Sequence, residues 1–403
     1  MSQLYFSRDV KVYVQTGTAI WEVPVLDGFS FSQATNSVEV TLNEMSSTAG
    51  VSRRGRKLFN DSLAPAEWSF QTYARPFTSV GGTIGTGVGG VFPADATAGD
   101  HHAVEEVLWA LAAGGAYYDT TTSTFKASSA GTAYTVVDGT DMNIDFAQSN
   151  VSALGTATIW FHFPADDGVD PVVYRINECC VNEATLTFDI DGITTIDWSG
   201  MGTKVEDVPL ASLTAALATN LINEGTDCDA TGNFIRNRLS TLSLVATQDG
   251  GANQAAFPGS AAGTYSVVLT GGSITISNNI TFLTPSTLGC VNVPLGHVTG
   301  TSTVSGTIDC YLDGEGAGGS GQLFDDLISA TSLTTNSFAL NLFVGGDTAA
   351  VLNGPGMQFT FPTAHMEIPA HDIGDIVSLS TSFHGLPSTI AGTNEVTITY
   401  KGA

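Results

Sequence analysis

The chain has 403 residues, of which 42% are hydrophobic and 9% aromatic. This composition supports a packed core and excludes a wholly disordered chain, and the length suits two or three domains. Thirteen Lys and Arg residues stand against 39 Asp and Glu residues, a formal net charge of -26. So few cations exclude broad, sequence-independent binding of nucleic acid, which depends on Lys and Arg at the phosphates.

The sequence shows no motif typical of an exported protein, a membrane protein or an enzyme. The first residues, MSQLYFSRDVKVYVQ, lack the apolar core of a signal peptide, and no run of about 18 apolar residues follows. The sequence contains no phosphate-binding loop, nucleophile elbow or HExxH motif. We therefore expect a non-enzymatic protein made in the cytoplasm, with no catalytic residues, cofactor or metal.

The first half of the chain is dominated by strand patterns. Apolar and polar residues alternate in Phe6–Val14, Gly28–Ser32 and Glu67–Tyr73, which predicts strands with one buried face. The Gly-rich insertion at 78–100 predicts an exposed loop. Helical spacing of apolar residues in His102–Ala113 predicts one helix, which Gly114 and Gly115 would end.

The second half repeats these elements in the same order. Pro209–Glu224 predicts a linker helix with Pro at its first position, and the composition of residues 225–232 predicts a turn. Alternating strands and one helix then follow at Phe234–Leu242, Gly272–Ile276, Val304–Tyr311 and Gly321–Ser329.

The closing segments of the two halves also match. Phe161–Pro164 corresponds to Phe359–Pro362, and Ile176–Gly192 corresponds to Ile368–Gly385. Six matched elements in one order predict an internal duplication. The predicted organisation is a first domain at 1–204, a linker helix and turn at 205–232, and a second domain at 233–403.

Three segments resemble bacteriophage tail tube proteins. They are the stretch from Val38 to Tyr73, the stretch Glu183–Gly200 and the stretch Phe359–Pro387. The resemblance lies in element order across most of the chain. It implies a mainly β fold with two tandem β-sandwich or barrel tail-tube domains, each with one flanking α-helix, plus the linker helix.

The resemblance also implies a function. The chain would be a structural subunit of the phage tail tube, located in the virion tail and assembled in the host cytoplasm. Hairpins of neighbouring domains would pair edge to edge into a β-barrel. Family rings contain six such domains, so a two-domain chain would form a homotrimeric, pseudo-hexameric ring, with a hexamer as the alternative. Expected partners are the tape measure protein, the tail terminator and baseplate or tail-tip proteins, while DNA passes without specific binding.

Two groups of charged residues are candidate functional sites in this interpretation. Glu39 and Glu44, in the first predicted hairpin, are candidates for a negatively charged lumen. Arg53, Arg54, Arg56 and Lys57 concentrate four of the thirteen basic residues within five positions. They predict a cationic loop that contacts an acidic surface of the adjacent ring.

Other interpretations stay open at this point. The chain could be another virion structural protein, such as a tail terminator or capsid decoration protein. It could also be an exported β-rich surface-layer or adhesin protein, although it lacks an export signal. A β-rich glycan hydrolase would need a carboxylate pair in an aromatic-lined cleft.

Overall fold

The structure of the protein is a computed structural model. It describes residues 4–17, 19–40, 57–81, 97–119, 121–122, 124–128, 130–138, 141–146, 154–165, 170–223, 234–246, 252–260, 262–314, 318–330, 336–346, 354–390 and 392–401. The protein is mainly β, as the alternating patterns predict.

Strands account for most of the first half, because Thr, Val, Ile and aromatic residues favour extended backbone. The elements are β1 (Lys11–Thr16), β2 (Ala19–Val23), β3 (Ser30–Val40), β4 (Lys57–Tyr73), β5 (Pro76–Val80), β6 (Ala98–Ala103), α1 (Glu106–Ala112), β7 (Tyr117–Asp119), β8 (Thr124–Lys126), β9 (Thr135–Asp138), β10 (Asp141–Asp145), β11 (Ala157–Phe163), β12 (Val172–Asp189), β13 (Thr195–Gly202), β14 (Lys204–Asp207) and α2 (Leu210–Asn220).

The second half continues with shorter strands and two further helices. Its elements are β15 (Leu221–Ile222), β16 (Thr241–Ala246), α3 (Ala252–Ala256), β17 (Thr264–Ser266), β18 (Leu269–Ser277), β19 (Ile280–Leu283), β20 (Gly296–Thr299), β21 (Thr303–Tyr311), α4 (Ser320–Ser329), β22 (Phe338–Gly345), β23 (Gly356–Met366), β24 (Ala370–Ile373), β25 (Val377–Leu386) and β26 (Thr397–Lys401). Among the described residues, no helix is both long and apolar enough to span a membrane.

One antiparallel sheet runs through both halves of the chain. Its strand order is β3, β4, β13, β12, β18, β21, β25 and β24. The halves meet where Glu183–Asp189 of β12 pair with Gly271–Ser277 of β18. Within the described part of the chain, the outer strand β3 pairs with β4 alone and the outer strand β24 pairs with β25 alone. We call this assembly of strands the through-sheet.

The two halves repeat one pattern of strand pairing. In the first half β1 pairs with β2 and β11, β11 with β12, β12 with β13 and β14, and β4 with both β3 and β13. In the second half β16 pairs with β17 and β22, β22 with β23, β23 with β25 and β26, and β21 with both β18 and β25. Each pairing of the first set has a counterpart in the second. The predicted domain bounds themselves stay a prediction.

The residue-by-residue match between the halves was wrong in places. It matched Ser30 with Ile274, but Ser30 is exposed whereas Ile274 is 1% exposed. The two strands therefore correspond with a shift of one residue, which moves every side chain to the opposite face. Two sequences that alternate apolar and polar residues can be aligned in more than one register. The correct register is therefore visible only in the strand pairing.

The closing segments were matched with the wrong strands. Phe161 lies in β11, whereas Phe359 lies in β23, whose counterpart by pairing is β12. Ile368–Gly385 does not form one long strand. It contains β24, a turn and most of β25, which together form a hairpin.

Two predictions around α1 also need correction. The helix begins at Glu106 rather than at His102, because His102 and Ala103 pair with Phe77 and Pro76 in a β5–β6 hairpin. The ends of the 78–100 insertion are thus paired strands rather than an exposed loop, and residues 82–96 lie outside the described residues. Helix α4 agrees with its predicted position. Helix α2 begins directly after Pro209 but ends at Asn220 rather than Glu224, because Leu221 and Ile222 pair with β2 as strand β15.

Candidate functional site

The two faces of the through-sheet differ sharply in chemistry. One face is buried, and a row of paired residues such as Phe70, Trp198, Ala184 and Ile276 crosses it from strand to strand. Because successive residues of a strand point to opposite sides, the alternate residues form a second face. We call it the hydroxyl face, and its members are Ser30, Ser32, Glu67, Ser69, Gln71, Tyr73, Glu183, Thr185, Thr187, Asp189, Thr195, Asp197, Ser199, Ser273, Thr275, Ser277, Thr303, Ser305, Thr307, Asp309, Ala370, Asp372, Ser378, Ser380, Ser382 and His384.

Serine and threonine hydroxyl groups connect the strands on this face. Such cross-strand pairs each stabilise a sheet by roughly 0.2–1 kcal/mol. One pair, Thr185 and Thr275, lies 3.0 Å apart at the boundary between the two halves. The others include Ser30 with Ser69 at 2.9 Å and Ser273 with Thr307 at 3.0 Å. The face is therefore ordered and polar without being positively charged.

The acidic side chains of the hydroxyl face have no basic counterparts. Its described residues include no Lys or Arg, whereas they include Glu67, Glu183, Asp189, Asp197, Asp309 and Asp372. The Asp197 carboxylate accepts a hydrogen bond of 3.0 Å from the side-chain amide of Gln71. Burial raises the pKa of Asp197 above its ordinary value, and the Gln71 hydrogen bond opposes this shift.

The hydroxyl face has only shallow relief. Two open depressions of about 290 and 260 Å³ lie on it, near Ser69 and Ser199. Their polar lining consists of hydroxyl, amide and carboxylate groups. The described part of the chain holds no group of three or more His, Cys, Asp and Glu residues placed to bind a metal ion. A broad polar surface suits contact with a large polymer better than capture of a small molecule.

The edges of the through-sheet are the second notable feature. Inside the chain, β12 and β18 meet through seven residue pairs, from Glu183 opposite Ser277 to Asp189 opposite Gly271. In the repeated pairing pattern, β24 occupies the place of the distal part of β12, and β3 occupies the place of β18. The two kinds of strand edge that pair at the centre of the through-sheet are thus both present at its outer strands.

Two of the predicted site residues, Glu39 and Lys57, lie at one end of the β3–β4 hairpin. Glu39 is exposed and pairs with Leu58, and Lys57 is exposed and pairs with Val40. Glu44, Arg53, Arg54 and Arg56 lie outside the described residues. Glu39 belongs to a stretch whose residues are exposed on both faces, so its position does not assign it to the hydroxyl face. Its lumen role stays a prediction.

Sequence reasoning missed the carboxylates that do lie on the hydroxyl face. Glu67, Glu183 and Asp197 each stand next to a buried residue, namely Trp68, Ala184 and Trp198. Strict alternation with buried neighbours was the signal that could have found them. It was overlooked because acidic residues are common throughout the chain.

Comparison with known proteins indicates which kind of protein the chain resembles. No family model matches the sequence. Over 399 residues the chain is 28% identical to the tail tube protein pb6 of Escherichia phage T5, and this match covers 97% of the chain and 75% of that relative. The described residues form a mainly β protein with large sheets, as a β-rich tube subunit requires. The chain is a bacteriophage tail tube protein, a structural subunit located in the virion tail.

Proposed function

We propose that subunits form a closed ring by pairing β24 of one subunit with β3 of the next. The observation that carries this proposal is the β12–β18 junction inside the chain. The counterparts of its two edges, β24 and β3, each have one strand neighbour in the described structure. Exposed edges invite uncontrolled pairing unless each has a defined partner, which a neighbouring subunit supplies.

The internal junction also suggests a register for the junction between subunits. Strand β11 pairs with β12 as β22 pairs with β23, so Ile176 of the first half and Phe361 of the second occupy equivalent positions. The same difference in residue number makes Leu186 equivalent to His371. Leu186 is buried, whereas His371 is exposed in the single chain. Both belong to the core side of the sheet by register, since they pair with the buried residues Ile196 and Leu379.

The partner strand is aligned in the same way. Strands β3 and β4 correspond to β18 and β21. Phe31, which pairs with Trp68, is therefore equivalent to Ile274, which pairs with Gly306. Leu186 pairs with Ile274 inside the chain, so His371 pairs with Phe31 of the next subunit.

This register continues the hydroxyl face across the subunit boundary. Ala370 then lies opposite Ser32, and Asp372 lies opposite Ser30. All four residues are exposed on that face in the single chain. Mismatched faces would instead place polar residues against the core.

The ring that fits best is a homotrimer. Each chain carries two sets of repeated strand pairings, so three chains supply six sets in a pseudo-hexameric ring. This proposal includes the duplicated domains at 1–204 and 233–403, joined by the linker at 205–232. The alternative is a hexamer of whole chains, which doubles the mass from three to six times 41.7 kDa.

The hydroxyl face would line the channel of this ring and let DNA pass during ejection without specific binding. Phosphates are held by Lys and Arg, and the described residues of this face offer neither. Its carboxylates repel phosphates within about 8 Å, one Debye length at physiological salt. Glu39 and Glu44 are further candidates for the lumen. Tape measure protein, tail terminator and baseplate or tail-tip proteins are the proposed partners along the tail.

The cationic residues have a separate proposed role. Arg53, Arg54 and Arg56 lie in the sequence between β3 and β4, and Lys57 is exposed at the start of β4. A positive loop on an otherwise acidic chain would recognise an acidic surface of the adjacent ring.

Cysteine cross-linking tests the ring and its register together. We expect Ala370→Cys with Ser32→Cys, in a chain whose Cys228 and Cys290 are replaced by Ser, to form disulfides between subunits. Denaturing gels would show a ladder that ends at three chains. The matched control is Ala370→Cys with Glu67→Cys, because Glu67 lies on the same face one strand, about 4.8 Å, further from the edge.

Equal cross-linking of both pairs, or none in either, would contradict the proposed register. A ladder that continues to six chains would contradict the trimer but retain the junction.

A further inference from the structure

A short segment at residues 234–239, where the second half of the chain begins, contacts the first half. The backbone N–H of Thr194, in the turn between β12 and β13, donates to the carbonyl oxygen of Ile235 at 3.0 Å. Ile193, in the same turn, forms an isolated antiparallel β-bridge with Arg236. The first half covers this segment so well that Ile235 is 0% exposed.

Residues 4–9 occupy the equivalent place in the first half. Strands β1 and β16 have the same neighbours in the repeated pairing pattern. A 3-10 helix ends two residues before each of them, at Ser7–Asp9 before β1 and at Asn237–Leu239 before β16. Tyr5 is therefore equivalent to Ile235.

Both segments rest on their own half, but only the second is covered. The Tyr5 hydroxyl donates to the carbonyl oxygen of Asp170, just before β12, at 2.9 Å. The Ile235 side chain lies against Gly345 at the end of β22, so each side chain contacts the connection between equivalent strands. Tyr5 is nevertheless 39% exposed, and the neighbouring Leu4 is 64% exposed. Within the described part of a single chain, residues 4–6 are thus in position without the cover that their counterpart has.

The second half carries a counterpart of the surface that covers residues 234–239. Strands β21 and β25 correspond to β4 and β13, and one hydrogen bond is repeated at the ends of both strand pairs. The backbone N–H of Leu312 donates to the carbonyl oxygen of Val377 at 3.0 Å, and that of Ala74 donates to the carbonyl oxygen of Thr194 at 3.0 Å. Leu312 is therefore equivalent to Ala74, and Val377 to Thr194.

This counterpart is apolar and exposed. Ile376, one residue earlier in the chain than Val377, is equivalent to Ile193 and is 65% exposed. Leu312 is 40% exposed, whereas Ala74, which lies beneath the covered segment, is fully buried. We call this place the receiving surface, and its members are Tyr311, Leu312 and Ile376. Contiguous exposed apolar side chains of this kind mark an interaction site.

We propose that residues 4–6 of one subunit dock on the receiving surface of the neighbouring subunit in the same ring. This inference rests on the proposed ring, in which β24 lies beside β3 of the next subunit as β12 lies beside β18 inside the chain. Each half would then be covered by the start of the half that follows it around the ring. The contact joins unlike surfaces, so it repeats at every subunit boundary until the ring closes.

The charges beside the contact are compatible with it. The Arg238 guanidinium lies 3.3 Å from the carboxylate of Asp191 in the β12–β13 turn. Arg8, which is equivalent to Arg238, lies 3.7 Å from Asp9 in the single chain. In the docked arrangement Arg8 would approach Asp375 in the β24–β25 turn. An exposed pair of this kind adds little affinity, so the apolar side chains carry the contact.

Cysteine cross-linking tests the contact at the counterpart of the internal β-bridge. Phe6 is equivalent to Arg236, and Ile376 is equivalent to Ile193, so Phe6 and Ile376 of neighbouring subunits should be bridge partners. Bridge partners have Cα atoms about 4.5–5.5 Å apart, which a disulfide can span. Phe6→Cys with Ile376→Cys should therefore form disulfides between subunits, and a ladder on denaturing gels.

The test uses the chain in which Cys228 and Cys290 are replaced by Ser, and it has two matched controls. Ile193→Cys with Arg236→Cys should form its disulfide within one chain. Phe6→Cys with Ile193→Cys should not cross-link, because Arg236 already occupies the place beside Ile193.

The ladder should end at the same number of chains as the ladder from Ala370→Cys with Ser32→Cys. If that ring pair cross-links and Phe6→Cys with Ile376→Cys does not, the inference is overturned and the ring stands. A ladder that continues past that of the ring pair would place the contact between rings and also overturn the inference. If neither pair cross-links while the internal control does, the proposed ring and this inference fail together.

Discussion

Replacement of Glu105 should remove a pH dependence of folding stability. Glu105 precedes α1 and is fully buried. Its carboxylate accepts hydrogen bonds from the backbone N–H of Arg75, at 3.2 and 3.3 Å, and from the hydroxyl of Tyr400. Trp109 in turn donates to the Tyr400 hydroxyl at 2.8 Å. The cluster links α1 in the first half to β26 near the end of the second.

Burial raises the pKa of Glu105 from 4.5 to about 7, and the hydrogen bonds from Tyr400 and Arg75 oppose the shift without cancelling it. Between those values the folded chain retains a proton that the unfolded chain has lost. Stability therefore falls as pH rises through this window, by about 1.4 kcal/mol per pH unit for one group. The loss is about 3 kcal/mol in all and is complete above the folded-state pKa.

Urea unfolding followed by tryptophan fluorescence between pH 4.5 and 8 measures this effect. Glu105→Gln keeps an oxygen acceptor for Tyr400 and Arg75 but has no charge to bury. Relative to wild type, its free energy of unfolding should rise by about 3 kcal/mol from the acidic to the alkaline limit. Glu67→Gln is the control, since it removes one negative charge from an exposed position. A wild-type to Glu105→Gln difference that is constant with pH would refute the reasoning.

Two further predictions concern the through-sheet. The double variant Asp197→Lys with Glu183→Lys should still assemble into tubes, but these tubes should retain short duplex DNA in co-sedimentation and lose it at high salt. Asp197→Asn with Glu183→Gln is the uncharged control. Equal retention of DNA by the two double variants would contradict the role of charge. Gly200→Ala should lower the free energy of unfolding by about 2 kcal/mol or more, because the new methyl would lie 2.1 Å from the Cys180 carbonyl oxygen and 2.4 Å from Trp68. Gly296→Ala, with no atom within 4 Å, should change it by less than about 0.5 kcal/mol, and equal losses would contradict the packing argument.

Local patterns in the sequence were sufficient to predict the type of some elements, such as β4 and α2. Alternation across Glu67–Tyr73 depends only on neighbours along the chain, so β4 is recognisable without any partner. The same holds for α2, where Pro209 stands directly before an apolar, Ala-rich segment. Net charge and the order of elements were likewise available, and they led to the tail tube family that the comparison supports.

Tertiary pairing decided what local patterns leave open. His102 has helical spacing, yet it lies in a strand because Phe77, far back in the chain, pairs with it. The carboxylates of the hydroxyl face depend on strand register, which a single-residue shift would reverse. The edges at β3 and β24 exist only in the assembled sheet, since an edge is defined by the neighbour that a strand lacks. The sequence by itself therefore determined the class of the protein and the kinds of its elements, whereas contacts between distant residues decided which faces and edges those elements present.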